Sequence, residues 1–148
     1  MYLSFLFGFL AGFLDLSSSF VIAPRAVGPK SSLQALPADD DHDLALMTAF
    51  TNRYAKVSNT YMCSEPSVTA VVIKGLADHK ATLGAPLCPC RFYEDKEAEV
   101  KVGYWNCPCV PMRERHECHC MLFLTPDNAF AGESQEISLE DVKTHGNV

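Results

Sequence analysis

Six of the seven cysteines in this 148-residue chain fall between Cys88 and Cys120. They form three C-x-C units: Cys88-Pro89-Cys90, Cys107-Pro108-Cys109 and Cys118-His119-Cys120. A disulfide within one such unit would close a very small, strained ring, so any bond should run between units. Proline after Cys88 and Cys107 biases both residues to extended backbone. Neighbouring sulfurs then point in different directions, and one unit can give one sulfur to a metal and the other to something else. Four kinds of chemistry are open to such a set. Structural zinc prefers C-x₂₋₄-C spacing and four ligands, which three C-x-C units fit badly. A secreted disulfide framework would leave one of seven cysteines over. Free cysteines are often simply buried and inert. An iron–sulfur cluster takes four thiolates. It would leave two cysteines for one redox disulfide, and so accounts for all six.

The elements that must position these sulfurs are mostly helical. Met47, Phe50, Tyr54 and Val57 make one apolar stripe at 3-4-3 spacing, preceded by Asp39, Asp40, Asp41 and Asp43. This predicts a helix over 44–57, with acids at its positive end. Ser67 as N-cap, the stripe Val68, Val71, Val72, Leu76 and Leu83, and Gly84 as a stop predict a second helix over 68–83. Between Ala85 and Pro111 the period disappears and four prolines punctuate the chain. Tyr93 to Lys101 has room for a helical turn or two, Arg113 to Leu124 is expected to be helical, and Pro126 to Gly132 a loop. Ser138 followed by Asp141 marks a capping box that opens a short last helix. With no alternating strand pattern and no repeat, the expected class is mainly α. It is a small single domain of several helices with an irregular Cys/Pro-rich middle.

Composition limits what the chain does. Hydrophobic residues are 48% and charged residues 20%, as in an ordinary globular protein rather than a disordered one. Net charge is −6, which argues against broad nucleic-acid binding. No apolar run reaches the ~18–20 residues that span a bilayer. Charge is uneven along the chain. Residues 1–38 carry one acid and two bases, whereas 39–148 carry 17 acids and 10 bases. The first segment joins an apolar run, Tyr2 to Leu14, to a Ser- and Pro-containing stretch. It reads as a leader, secretory or organellar, ahead of a folded unit at 39–148, with a buried first helix as the alternative.

The run Ser67-Val68-Thr69-Ala70-Val71-Val72-Ile73-Lys74-Gly75-Leu76-Ala77-Asp78-His79-Lys80 leads into Leu83-Gly84-Ala85-Pro86-Leu87-Cys88-Pro89-Cys90-Arg91. Downstream stand Trp105-Asn106-Cys107-Pro108-Cys109-Val110-Pro111-Met112-Arg113-Glu114-Arg115 and Glu117-Cys118-His119-Cys120-Met121-Leu122-Phe123-Leu124-Thr125-Pro126-Asp127-Asn128. From about residue 44 onward the chain resembles the catalytic (β) chains of ferredoxin–thioredoxin reductases. Two departures stand out. Phe92 sits where that family is expected to carry His, and His116 where it is expected to carry Lys.

The resemblance implies a fold built around a 4Fe–4S cluster held by Cys88, Cys107, Cys109 and Cys118, with Cys90 and Cys120 as the redox disulfide. It implies that Cys90 attacks the disulfide of thioredoxin, that Cys120 resolves the mixed disulfide, and that His119 moves protons. It further implies ferredoxin as electron donor, thioredoxin as substrate, and a variable chain as heterodimer partner, with neither nucleic acid nor membrane engaged. Arg91, Arg113 and Arg115 flank the Cys units and would help attract acidic ferredoxin. A plastid leader then outweighs a secretory one. Cys63 lies outside these roles and is expected to be a buried structural thiol, with His79 structural or exposed. The competing class is a non-catalytic Cys-rich metal-binding or secreted module.

Overall fold

The computed structural model describes residues 40–146. The expected leader, 1–38, lies outside the described residues. Five helices follow in order: α1 (Asp40–Ser58), α2 (Pro66–Leu83), α3 (Lys96–Val102), α4 (Val110–Arg115) and α5 (Leu139–His145). Only isolated antiparallel bridges accompany them among the described residues, so the class is mainly α as expected. No helix among these residues is long and apolar enough to cross a membrane.

α1 starts four residues before the expected Leu44, so Asp40, Asp41 and Asp43 lie inside its first turn and not before it. Free N–H groups there favour negative charge. Its buried face is Met47, Thr51 and Ala55, at strict i+4 spacing, with Thr48 beside them. Phe50 and Tyr54 pack at the margin of that face. Val57, expected in the stripe, is 78% exposed. The helix turns by 100° per residue, and the smaller Ala55 takes the inward position.

α2 begins at Pro66, with Glu65 as its N-cap in place of the expected Ser67. Proline in the first turn has no N–H to lose. Ser67 Oγ instead donates to Glu65 Oε1 at 3.1 Å. The C-cap is Gly84 at φ 76°, as the sequence predicts. α2 is the central helix and packs against both α1 and α5. Its Ala70, Ile73 and Leu76 are almost wholly inaccessible, while Val71 points outward.

The charged stretch holds a real helix, α3. Asp95 caps it by accepting from Ala98 N–H at 3.0 Å. The expected helix from Arg113 to Leu124 is corrected. α4 starts earlier, at Val110, and stops at His116, whose φ of 57° is left-handed. Pro111, read as a breaker, sits in the first turn where proline is tolerated. Residues after His116 turn back, and Leu124 bridges Tyr61. α5 is capped as expected, with Ser138 Oγ accepting from Asp141 N–H at 3.0 Å.

Between the helices, Asn52 clamps the approach to α5. Its side chain donates to Ile137 O and accepts from Ile137 N–H, both at 3.0 Å. Phe123 is 1% exposed and meets the Tyr54 ring edge-on at 4.7 Å. The returning 117–124 segment is thereby anchored in the core between α1 and α2. Cys63 is buried and bridges Ala131, far in sequence from the C-x-C units, as a structural thiol should be.

Candidate active site

The three C-x-C units come together through short backbone contacts, not through periodic packing. Leu87 pairs with Asn106 in an antiparallel bridge. Around it Cys88 N–H donates to Trp105 O at 3.0 Å, and Cys107 N–H donates to Pro86 O at 2.8 Å. The first two units therefore lie side by side. Cys109 then serves as the N-cap of α4. Cys118 opens a turn closed by Met121 N–H onto Cys118 O at 3.1 Å.

The tightest sulfur group is Cys88, Cys90 and Cys120, whose Sγ atoms all lie within 4.8 Å of one another. Cys88 and Cys120 are 2.9 Å apart. Beside this trio is a small cavity lined by Cys88, Cys107, Cys109, Cys118, Cys120 and His119. Val72, Leu76, Met112 and Phe123 close its apolar wall. Cys90 is the one member of the six that does not line it. The six are free thiols, Cys88 and Cys120 buried and the others half-buried.

Electrostatics divides the trio. Hydrogen bonds from the Cys120 and Cys90 thiols lower the Cys88 pKa to about 3. Cys90 gains from the Cys120 thiol, but the competing bond to Cys88, burial and repulsion push it up to about 11. Cys120 is held strongly protonated by its bond to Cys88. Burial pushes Cys107 well up, reinforced by repulsion from Cys118 and Cys88. Cys118 is also raised by burial, although backbone N–H groups of Phe123, Leu122 and Cys120 aim at its sulfur and oppose the shift.

These are the properties of a metal-thiolate site. A bound metal ion deprotonates its thiol ligands outright and removes the repulsion that burial imposes on them. Backbone N–H groups aimed at a sulfur favour the thiolate form. Cys88, Cys107, Cys109, Cys118 and Cys120 put five soft sulfur donors on one cavity, and thiolate donors of this kind suit an iron–sulfur cluster.

The structure puts His119 on the exposed rim of the cavity, where it also lines an adjoining open groove with Arg91, Trp105, Arg115 and His116. Arg91 stacks over Trp105, with its guanidinium carbon 3.5 Å from the ring centroid. Arg115 is bonded to Glu117 at 2.9 Å, so its charge is largely offset. Arg113 is exposed. Phe92 is 91% exposed and takes no part in the cavity.

Two supporting side chains had no signal in the spacing of the sequence. Tyr93 Oη donates to Cys88 O at 2.9 Å, and burial raises its pKa. His79 Nδ1 lies 2.7 Å from Leu87 O. Both act on main-chain carbonyls, which no residue pattern advertises.

The fold and site define a class: a small helical domain whose converging cysteines can hold a metal. The chain belongs to the ferredoxin thioredoxin reductase catalytic beta chain family, whose profile matches residues 37–145. The rice ferredoxin-thioredoxin reductase catalytic chain, chloroplastic, is 61% identical over 132 residues, covering 86% of this chain and 90% of that one. The spinach protein of the same name is 56% identical over 132 residues, with 87% and 92% covered. The Synechocystis ferredoxin-thioredoxin reductase, catalytic chain, is 69% identical over 100 residues, with 68% and 85% covered.

Proposed function

We propose that this chain reduces the disulfide of thioredoxin with electrons from reduced ferredoxin, as the catalytic chain of a heterodimer with a variable chain, in the chloroplast. Residues 39–148 form the catalytic domain and 1–38 the plastid leader. One observation carries the reading. The Cys90 sulfur meets those of Cys88 and Cys120, which line a cavity together with Cys107, Cys109 and Cys118.

Cys88, Cys107, Cys109 and Cys118 would hold a 4Fe–4S cluster in that cavity. Bound there, it supplies one-electron transfer beside a disulfide whose cleavage takes two electrons. The remaining chemistry belongs to the chain itself. Cys90 is half-buried and lies off the cavity, whereas Cys120 is 8% exposed. Cys90 is therefore the thiol within reach of another protein. Its sulfur attacks one sulfur of the thioredoxin disulfide, and the other leaves as a thiol. Cys120 then attacks Cys90 in the mixed disulfide, releasing the second thioredoxin thiol and closing Cys90–Cys120. Two electrons and two protons restore the dithiol. The Cys90 thiol must lose its proton as it attacks, and His119 on the cavity rim is the imidazole that would take it.

The direction is favourable. About −400 mV for plant-type ferredoxin against about −270 mV for thioredoxin leaves roughly 130 mV. For two electrons that is about 6 kcal/mol downhill.

The test is anaerobic purification of the heterodimer. A broad absorption at the blue end of the visible, with iron and acid-labile sulfide, and thioredoxin reduction dependent on reduced ferredoxin are expected. A colourless zinc protein would sink the proposal.

A further inference from the structure

Gly75 stands in the middle of α2, where glycine is disfavoured against alanine. Its backbone is ordinary helix, so conformational freedom is not the reason for it. Space is the reason. A Cβ built there would lie 2.6 Å from Pro89 Cβ and 3.0 Å from Pro89 Cγ. Those are atoms of a rigid ring, not the end of a flexible side chain. The two elements would have to part by about 1 Å to reach ordinary contact.

One helical turn further, on the same face, stands His79. Its Nδ1 lies 2.7 Å from Leu87 O, and its Nε2 lies 3.0 Å from Lys96 Nζ at the start of α3. An ammonium only donates, so Nε2 accepts, and Nδ1 carries the hydrogen that goes to Leu87. The helix thus holds Leu87 by a hydrogen bond and Pro89 by close packing, with Cys88 between them. Trp105 O and Tyr93 Oη fix Cys88 from other directions.

We infer that Gly75 and His79 are positioning residues, a two-point seat on α2 that sets where the Cys88-Pro89-Cys90 turn places its sulfurs against Cys120. The disulfide readout and its consequence for thioredoxin rest on the Cys90–Cys120 pairing of the proposed function, but the placement itself does not. Gly75 gives the turn its depth, and His79 gives it its rotation.

The experiment uses the holo heterodimer and two readouts. One is the equilibrium constant of the Cys90–Cys120 disulfide in a glutathione redox buffer. The other is ferredoxin-dependent thioredoxin reduction. Gly75→Ala should weaken the disulfide equilibrium by about tenfold and slow turnover by up to about 100-fold, the usual effect of a 1 Å misplacement. Pro89→Gly removes the ring, so in that background Gly75→Ala should cost little, which is a coupling that a double-mutant cycle reads directly. Val142→Ala, buried on α5 and not among the cavity-lining residues, should lower the melting temperature and leave the disulfide equilibrium within about twofold. If Gly75→Ala does not fold, His79 decides the matter. His79→Leu should weaken the disulfide, and His79→Asn, which keeps a donor near Nδ1, should restore most of it. An unchanged disulfide equilibrium in Gly75→Ala, an equal cost with and without Pro89, or identical behaviour of His79→Leu and His79→Asn would overturn the inference. If wild type forms the disulfide but never reduces thioredoxin, the functional proposal fails, and the disulfide equilibria still decide this one.

Discussion

The helical frame of α1, α2 and α5 and the redox segment from Ala85 to Leu124 are held by different forces. In the frame, stability comes from burial: Met47, Thr51, Ala55, Ile73, Leu76 and Val142 are almost inaccessible. In the redox segment the two helices are only six and seven residues long, and α3 buries no residue. Its order comes from single hydrogen bonds to carbonyls and from a few inserted side chains such as Leu87, Met112 and Phe123. A frame built on area degrades gradually when one side chain is trimmed. A segment held by a few polar contacts should fail abruptly when a cysteine that would ligate a metal goes, because metal binding by such a segment is folding free energy.

The largest effect should follow from taking away a ligand. Cys88→Ser, Cys107→Ser, Cys109→Ser and Cys118→Ser should each lose iron and melt far below wild type. Full iron loading in all four would refute the ligand assignment. Next come the paired thiols. Cys90→Ser should keep its iron and lose thioredoxin reduction entirely, whereas Cys120→Ser should keep its iron and trap a mixed disulfide with thioredoxin. Wild-type turnover by Cys120→Ser would show the pairing to be wrong.

Frame substitutions should behave in the opposite way. Ile73→Ala leaves a cavity at a site of zero exposure and should cost about 2–5 kcal/mol. Calorimetry should show the loss while activity per bound iron stays constant. Were activity per iron to collapse in step with stability, the two regions would not be separable. Ser138→Ala removes the cap of α5 and should cost about 1 kcal/mol, visible as a small shift in melting and nothing else. The smallest effect belongs to the leader. Deleting residues 1–38 should leave both thioredoxin reduction and melting temperature unchanged. A drop of several degrees would mean that Phe5, Leu6, Phe9 or Phe13 packs on the folded domain.

The contrast between the regions also governs what could be read in advance. α2 was legible because burial on one side forces a 3.6-residue period, and Gly84 and Ser138 mark helix ends by chemistry that operates within one turn. Val57 and Val71 misled because apolar residues at nearly the right spacing look alike until a neighbouring element selects the inward row. α4 was misplaced because Pro111 breaks a helix in its middle but suits its first turn, and only the location of the start tells the two cases apart.

The sequence by itself determined that the chain is mainly helical, that its chemistry lies in three C-x-C units, and which family those units resemble. These are properties of residue type and of spacing along the chain. Tertiary structure decided which sulfurs meet. Cys88, Cys90 and Cys120 converge within 4.8 Å although Cys120 is 30 residues from Cys90. Cys90 alone is left off the cavity, and Gly75 and His79 receive the turn that carries it. The physical reason is that sulfur–sulfur distances, carbonyl hydrogen bonds and the room for one ring against a helix depend on how separate segments pack, and local sequence does not encode that.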